Sequence, residues 1–415
     1  MMNKKIKDIY SKSFKQQVVS VSDKEALNQA FWQIKKDNYS KELLGFVPDK
    51  NRSIANISNF ITEIASEYDE IIVFAFDALS FEYFYYTMLE DIKNKDLYAS
   101  VLSSVFPSTS TTAWTSIFTG AQPSAHGVYG TSFYLKEYGK NYNWIFNALA
   151  DKENFNTLWN QKQPKLNLSK KKTLFQKLEK LGYTNVYLDS HGKENPFLLL
   201  GIMEGSKHIP YLNKDFNDLK RKPDKLLKHF LTQTTGLLKT KVKKKMIWNY
   251  IDIDDFIHEQ GYEELTKYNL WKTLFRYWSD NKSKKRAFLL ISDHGQTGQV
   301  NCGINILKTS ILNGDLAHNP AGAGRTMFFY PKKGKYTSVK KWLEKMVGDS
   351  GFVFDKKDLF KYKLLDKNAI AQERIGDLVT LATKSNFPSA GAKYLSEHGS
   401  LHYEEIYVPF IIQAS

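Results

Sequence analysis

Three stretches of this chain run mostly apolar and stop at an aspartate. Ile71-Ile72-Val73-Phe74-Ala75-Phe76 leads to Asp77, Met246-Ile247-Trp248-Asn249-Tyr250-Ile251-Asp252-Ile253 to Asp254, and Ala287-Phe288-Leu289-Leu290-Ile291-Ser292 to Asp293. Short, mostly apolar runs of this kind read as buried strands. Between them the pattern changes period. Residues 173–182 read as an amphipathic helix with a glycine stop at Gly182, followed by the strand-like Asn185-Val186-Tyr187-Leu188. Residues 225–238 and 262–278 read as two more helices, and Ile406-Tyr407-Val408-Pro409-Phe410-Ile411-Ile412 as a last buried strand. Alternating strands and helices predict an α/β fold with a mostly parallel central sheet and helices on both faces. Residues 1–63 carry looser helical spacing and read as a helical N-terminal extension, leaving residues 64–415 as the main unit. The stretch 196–223 fits the alternation poorly and reads as an insertion near the site.

In open α/β sheets, ligands gather beyond the carboxyl ends of the strands. Asp77, Asp254 and Asp293 would therefore converge on one edge. His258 lies one helical turn after Asp254, His294 directly follows Asp293, and His398 stands near the end of the chain. Carboxylate with imidazole is a ligand set for zinc or manganese rather than for an oxygen-only magnesium site. Residues 106–120 form a hydroxyl-rich turn, Phe106-Pro107-Ser108-Thr109-Ser110-Thr111-Thr112, leading into a helix that Gly120 is placed to stop. A hydroxyl at a helix N-terminus sits where backbone N–H groups and the helix dipole favour an anion.

Taken in order, these pieces resemble the type I phosphodiesterase/nucleotide pyrophosphatase branch of the alkaline phosphatase superfamily. The resemblance rests on Asp77, on Phe106-Pro107-Ser108 through Ser116-Ile117-Phe118-Thr119-Gly120, and on Gln122-Pro123-Ser124-Ala125-His126-Gly127. Asp254 with His258, Ser292-Asp293-His294-Gly295 and His398-Gly399 complete it. It implies an alkaline-phosphatase-like core and two divalent metal ions, zinc first and manganese second. Asp254, His258 and His398 would hold one ion; Asp77, Asp293, His294 and the nucleophile hydroxyl would hold the other. Aligning the motif ends puts Ser110 at the nucleophile position, with Thr109 and Thr111 as the neighbours a one-residue shift would select.

The implied chemistry is hydrolysis of a phosphodiester or phosphoanhydride in a small, nucleotide-like substrate. It would pass through a phospho-Ser110 intermediate in two in-line displacements. A phosphomonoesterase or phosphonate hydrolase on the same core is the alternative, and a catalytically silent binding module is the alternative outside enzymes. The family's asparagine three residues after the nucleophile is Ala113 here. Thr111, the neighbouring hydroxyls and backbone N–H groups, or Arg325 in the Gly322-Ala323-Gly324-Arg325 loop, are the candidate replacements that would meet the phosphoryl oxygens. His126 reads as structural and His402 as a neighbour of the site, while His191, His208, His229 and His318 show no ligand pattern.

Composition adds limits. No apolar run approaches the length of a membrane span. The N-terminus has no apolar signal core, and the single cysteine, Cys302, reads as a small buried residue. These features suit a reducing, cytoplasmic setting. The formal charge of +15 concentrates at residues 170–172, 239–245, 282–286 and 332–335. Such lysine runs read first as a solvated surface and second as steering for an anionic substrate. They lack the interleaved aromatics expected of specific nucleic-acid binding.

Overall fold

The computed structural model describes residues 2–88, 96–143, 148–150, 172–190, 201–211, 221–300, 314–389 and 394–414. Cys302, His191 and parts of 196–223 lie outside them.

Eight strands form the central sheet: β1 (Val19–Ser20), β2 (Glu70–Asp77), β3 (Leu97–Ser103), β4 (Thr184–Asp189), β5 (Lys207–Pro210), β6 (Lys245–Asp252), β7 (Arg286–Ser292) and β8 (Tyr407–Ala414). Their spatial order is β1-β3-β8-β7-β2-β6-β4-β5. The five strands from β7 to β5 are mutually parallel. β8 runs antiparallel between β7 and β3, and β1 is antiparallel to β3. The sheet is therefore mostly parallel, as the largely apolar runs predict. Those runs are needed because each face carries a core. Along β2, Ile72, Phe74 and Phe76 enter one apolar cluster, while Ile71, Val73 and Ala75 enter the other.

Register places the chemistry. Asp252 stands opposite Asp77 across β6 and β2, and Ser292 stands opposite Phe76 across β7 and β2. The three strands thus end on one line, with Asp293 one residue beyond β7 and Asp254 two beyond β6. A ribbon of Thr297–Gly298 with Ser396–Glu397 brings the end of the chain back to this line.

Three features depart from a simple reading of the pattern. The first 63 residues are mainly helical, with helices Lys4–Phe14, Lys24–Asn38 and Ile57–Ile64, yet they belong to the same core. Ile6, Tyr10 and Phe14 pack in the cluster of Val73 and Phe410, and Leu27, Phe31 and Ile34 pack in the opposite one. Next, the helix expected over 262–278 is two helices, Asp254–Leu265 and Leu270–Asp280. The first is broken at Gly261, with φ 74° and ψ 170°. The turn there aims the Tyr262 hydroxyl at the loops after β2 and β7, where it receives the N–H of Ser80 at 3.1 Å and of Gln296 at 3.0 Å. Finally, a second, antiparallel sheet of seven strands (351–355, 378–382, 326–331, 316–323, 132–135, 140–143 and 148–150) lies outside the expected alternation. Within 196–223, residues 207–210 form the edge strand β5.

The N-terminal helices give a direct test. Phe14→Ala removes a fully buried ring and should cost about 3–5 kcal/mol in urea unfolding of the whole chain. A dispensable extension would leave the midpoint unchanged.

Candidate metal centre

Each candidate ligand reaches the sheet edge by a different route. Asp77 ends β2; Asp254 and His258 lie on the first turns of helix Asp254–Leu265; Asp293 and His294 follow β7; His398 follows the ribbon strand Ser396–Glu397. The structure gathers them into two groups, Asp254–His258–His398 and Asp77–Asp293–His294, each able to offer three ligand atoms within 4.8 Å of one another. The imidazoles of His294 and His398 stack at 4.1 Å between centroids, so the groups lie side by side. Sequence spacing alone did not assign ligands to groups; the fold does.

The histidines share one device. Nδ1 of His258 meets the Ser396 carbonyl at 2.8 Å, Nδ1 of His398 meets the Ser108 carbonyl at 3.1 Å, and Nδ1 of His294 meets the Gly295 carbonyl at 3.0 Å. A carbonyl accepts only, so each Nδ1 donates and each ring, when it gives up the Nε2 proton, presents the Nε2 lone pair. Those Nε2 atoms face carboxylates: His258 is 3.4 Å from Asp254, His294 is 3.3 Å from Asp293, and His398 is 3.8 Å from Asp254.

The carboxylates are oriented too. The Trp114 indole donates to Asp77 Oδ2 at 3.1 Å, and the Tyr250 hydroxyl donates to the same oxygen. Asp77 Oδ1 is left to face Ser110 and His294. Ala78 N–H donates to Asp293 Oδ1 at 3.2 Å, from a residue held at φ 65°. That strained turn sits next to Asp77, where the surrounding contacts fix it. Gly295 is needed for close approach, since a Cβ there would lie 2.0 Å from the Glu404 carbonyl.

Electrostatics test whether cations suit this site. Asp77, Asp293 and His294 are fully buried, and Asp293 Oδ2 has no hydrogen-bond partner. Burial, then Asp254 and Asp252, pushes the Asp77 carboxyl up to about 8. Burial and Asp77 push Asp293 well above the carboxylate range. For Asp254, burial would raise the carboxyl, but His258 and His398 outweigh it and hold it low. Its partner His258 is correspondingly lifted to about 10, Asp254 overcoming the burial that would lower it. Burial lowers His294 to about 4. A cluster of desolvated acids, one oxygen orphaned, is costly without positive charge. The two groups of carboxylates and imidazoles are therefore candidate sites for a divalent metal ion.

Ser110 opens the helix Ser110–Thr119, which Gly120 ends at φ 69°. Its Oγ donates to Asp77 Oδ1 at 3.2 Å and lies 3.1 Å from His294 Nε2. Of the hydroxyls at this turn, it is Ser110 that these bonds tie to the second group. Thr109, the N-cap, makes no side-chain cap bond, so its hydroxyl leaves the first-turn N–H groups uncapped. The Oγ1 atoms of Thr109 and Thr111 are buried without partners, while Thr112 Oγ1 accepts the Gly130 N–H at 2.7 Å. With Ala113 in place of an amide side chain, these N–H groups and hydroxyls are the donors at hand for a phosphoryl oxygen.

Arg325 has a different position from the one expected. Its side chain is 1% exposed; Nε donates to Glu405 at 2.7 Å and a terminal nitrogen donates to the Lys384 carbonyl at 3.2 Å. Its backbone N–H holds the His398 carbonyl at 3.0 Å, and Glu405 accepts the Ser400 N–H at 2.5 Å. The guanidinium braces the turn that carries His398 instead of standing free for phosphate. Sequence reasoning also missed Gln296, whose amide donates to Asp254, and Glu397, which accepts the His398 N–H at 3.1 Å. Adjacency to the ligands in the sequence was the signal available for both. His126 bridges helix Ser110–Thr119 and its following turn through Ser116 at 2.9 Å and Val128 N–H at 3.1 Å, and His402 pairs with Glu404 at 3.3 Å. Neither joins a metal group.

Two outcomes follow. Metal entry must displace protons from Asp77 below about pH 8 and from His258 below about pH 10. Affinity should therefore rise from pH 6 to pH 8 with proton release, measured by calorimetry in buffers of different ionisation enthalpy. Arg325→Met should lower stability by about 3–5 kcal/mol by stranding Glu405. A phosphate-binding arginine would instead raise KM and leave the unfolding midpoint in place.

Residues 71–402 match the family described as type I phosphodiesterase / nucleotide pyrophosphatase. No curated protein sequence matches the chain. Among solved structures, phosphonoacetate hydrolase from Sinorhizobium meliloti 1021, in complex with phosphonoformate, is similar with a TM-score of 0.56 at 16% identity, covering 84% of this chain and 90% of that one. Murine ectonucleotide pyrophosphatase / phosphodiesterase 5, in an inactive form in complex with AMP, gives a TM-score of 0.56 at 14% identity over 84% of this chain and 88% of its own. The human counterpart gives 0.53 at 14% identity over 83% and 88%. At these identities the likeness concerns the fold. The sequence match covers most of the chain, which thus belongs to the type I phosphodiesterase / nucleotide pyrophosphatase family, within the alkaline phosphatase superfamily.

Proposed function

We propose that the protein is a two-metal hydrolase that cleaves a phosphodiester or phosphoanhydride bond in a nucleotide-like substrate through a phospho-Ser110 intermediate. The observation that carries this reading is the position of Ser110 Oγ. It lies at a helix N-terminus, within hydrogen-bond distance of Asp77 and His294, beside the second ligand group. Zinc, or manganese in its place, would lower the pKa of the attacking hydroxyl and of water and neutralise phosphoryl charge.

The chain's own residues supply the rest. Asp77 Oδ1 accepts the Ser110 proton and aims the oxygen. Trp114 and Tyr250 keep that carboxylate from turning. Ser110 Oγ bonds to phosphorus, the bond to the leaving oxygen breaks, and that oxygen takes up the proton that Asp77 received. The first-turn N–H groups, with Thr111, receive a non-bridging oxygen. The oxygen of a water then bonds to phosphorus, the bond to Ser110 Oγ breaks, and one proton of that water passes to Oγ. Two inversions give net retention at phosphorus.

A diester is favoured over a monoester by the place of Arg325. A monoester dianion carries one more charge, and the arginine that the sequence offered to meet it is engaged by Glu405. That all six ligand types are present speaks against a silent binding module.

An aryl phosphodiester and the matching aryl monoester, each with zinc, manganese or chelator, test this reading. Metal-dependent turnover should favour the diester. Ser110→Ala should reduce kcat by about three orders of magnitude or more while metal content persists. Preference for the monoester or a phosphonate would shift the assignment within the superfamily. Full activity in Ser110→Ala, with loss in Thr109→Ala or Thr111→Ala, would move the nucleophile.

A further inference from the structure

The lysine runs at 239–244 and 282–285 lie at the opposite end of the sheet from the metal ligands. They precede β6 and β7, whereas Asp254 and Asp293 follow them. Substrate steering toward the site is therefore not their natural role. An eight-residue strand spans roughly 25 Å, which separates the two edges.

Backbone hydrogen bonds tie these loops into one row. The Lys285 carbonyl receives the N–H groups of Asp69 and Glu70 at 2.9 and 3.0 Å. The Asp69 carbonyl receives Lys245 N–H at 2.9 Å, and the Lys244 carbonyl receives Thr184 N–H at 3.0 Å. The four parallel strands β7, β2, β6 and β4 thus begin on one shared face. On that face Lys239, Lys241, Lys243 and Lys284 are exposed and make no ion pair among the described residues. Nearby acids are partly used: Asp96 pairs with Lys282 at 2.5 Å and Glu67 with Lys5 at 2.6 Å.

Two aliphatic side chains project from the same row. Val242, inside the lysine loop, is 40% exposed, and Leu181 is 43% exposed. Lys244 Nζ reaches the Leu181 carbonyl at 3.4 Å, so the two loops touch. Unpaired lysines around protruding aliphatic tips suit an anionic bilayer. The lysines supply attraction to the headgroups, and the aliphatic tips enter the interface. Nucleic acid would be met by free arginine forks and exposed aromatic stacking surfaces, whereas Arg286 at the start of β7 is engaged by Glu70 and Tyr183 beside Lys244 is buried.

We infer that the amino edge of the central sheet is a docking surface for an anionic lipid bilayer, holding the metal edge toward the aqueous phase. This inference is independent of the reaction proposed above.

Co-sedimentation of the whole protein with phosphatidylcholine vesicles, with and without about 30% phosphatidylserine, tests it. Binding should require phosphatidylserine and weaken as salt rises. The triple variant Lys239→Glu, Lys241→Glu, Lys243→Glu should bind about a hundredfold more weakly or worse, at roughly fivefold per lysine lost. Val242→Asp should weaken binding without changing the charge of any lysine. Unchanged unfolding midpoints would show that both variants fold. No binding to phosphatidylserine vesicles, or equal binding by the folded triple variant, would overturn the inference. Tighter binding to a DNA duplex than to those vesicles at the same salt would overturn it in favour of nucleic acid.

Discussion

Like charge held out of water is the constraint on which the site depends. Asp77 and Asp293 are buried together, with Asp254 and Asp252 close behind, and one Asp293 oxygen has no partner. Side chains in that state protonate, find cations or destabilise the fold. The three histidines provide lone pairs in the required direction because backbone carbonyls hold their other nitrogens. The arrangement is costly as protein alone and is consistent with a binuclear metal centre. Ser110 shares Asp77 and His294 with that cradle, so the proposed nucleophile and the candidate metal site stand or fall together.

The fold supplies precision by assigning each ligand to a braced element. Parallel register sets the ends of β2, β6 and β7 on one line. The ribbon of residues 297–298 and 396–397 returns the chain end to that line, and the Arg325–Glu405 pair fixes the turn bearing His398. These contacts are buried, so their loss would be felt both as instability and as misplacement of ligands.

Much of this was legible in the sequence for identifiable reasons. Strands buried on both faces are mostly apolar, which exposed β2, β6 and β7 and therefore the aspartates at their ends. The Asp254–His258 spacing survives because it is local to one helix. Other features depend on contacts between distant segments. The break at Gly261 follows from what Tyr262 must reach, namely Ser80 and Gln296. The antiparallel seven-stranded sheet joins residues 132–150 to 316–382, a pairing that no local period announces. Arg325 looked available because it follows glycines in a loop; its partner Glu405 lies eighty residues away. The N-terminal helices looked peripheral because helical spacing does not say which core a face will join.

The central claim is that the clustered acids and imidazoles hold two metal ions that share Ser110's surroundings. Metal content per chain, measured by elemental analysis after zinc loading and dialysis, tests it most directly. The account predicts two ions in the wild type and about one each in Asp77→Asn and His398→Ala, lost from different groups. One ion or none in the folded wild type, or two in both variants, would contradict it.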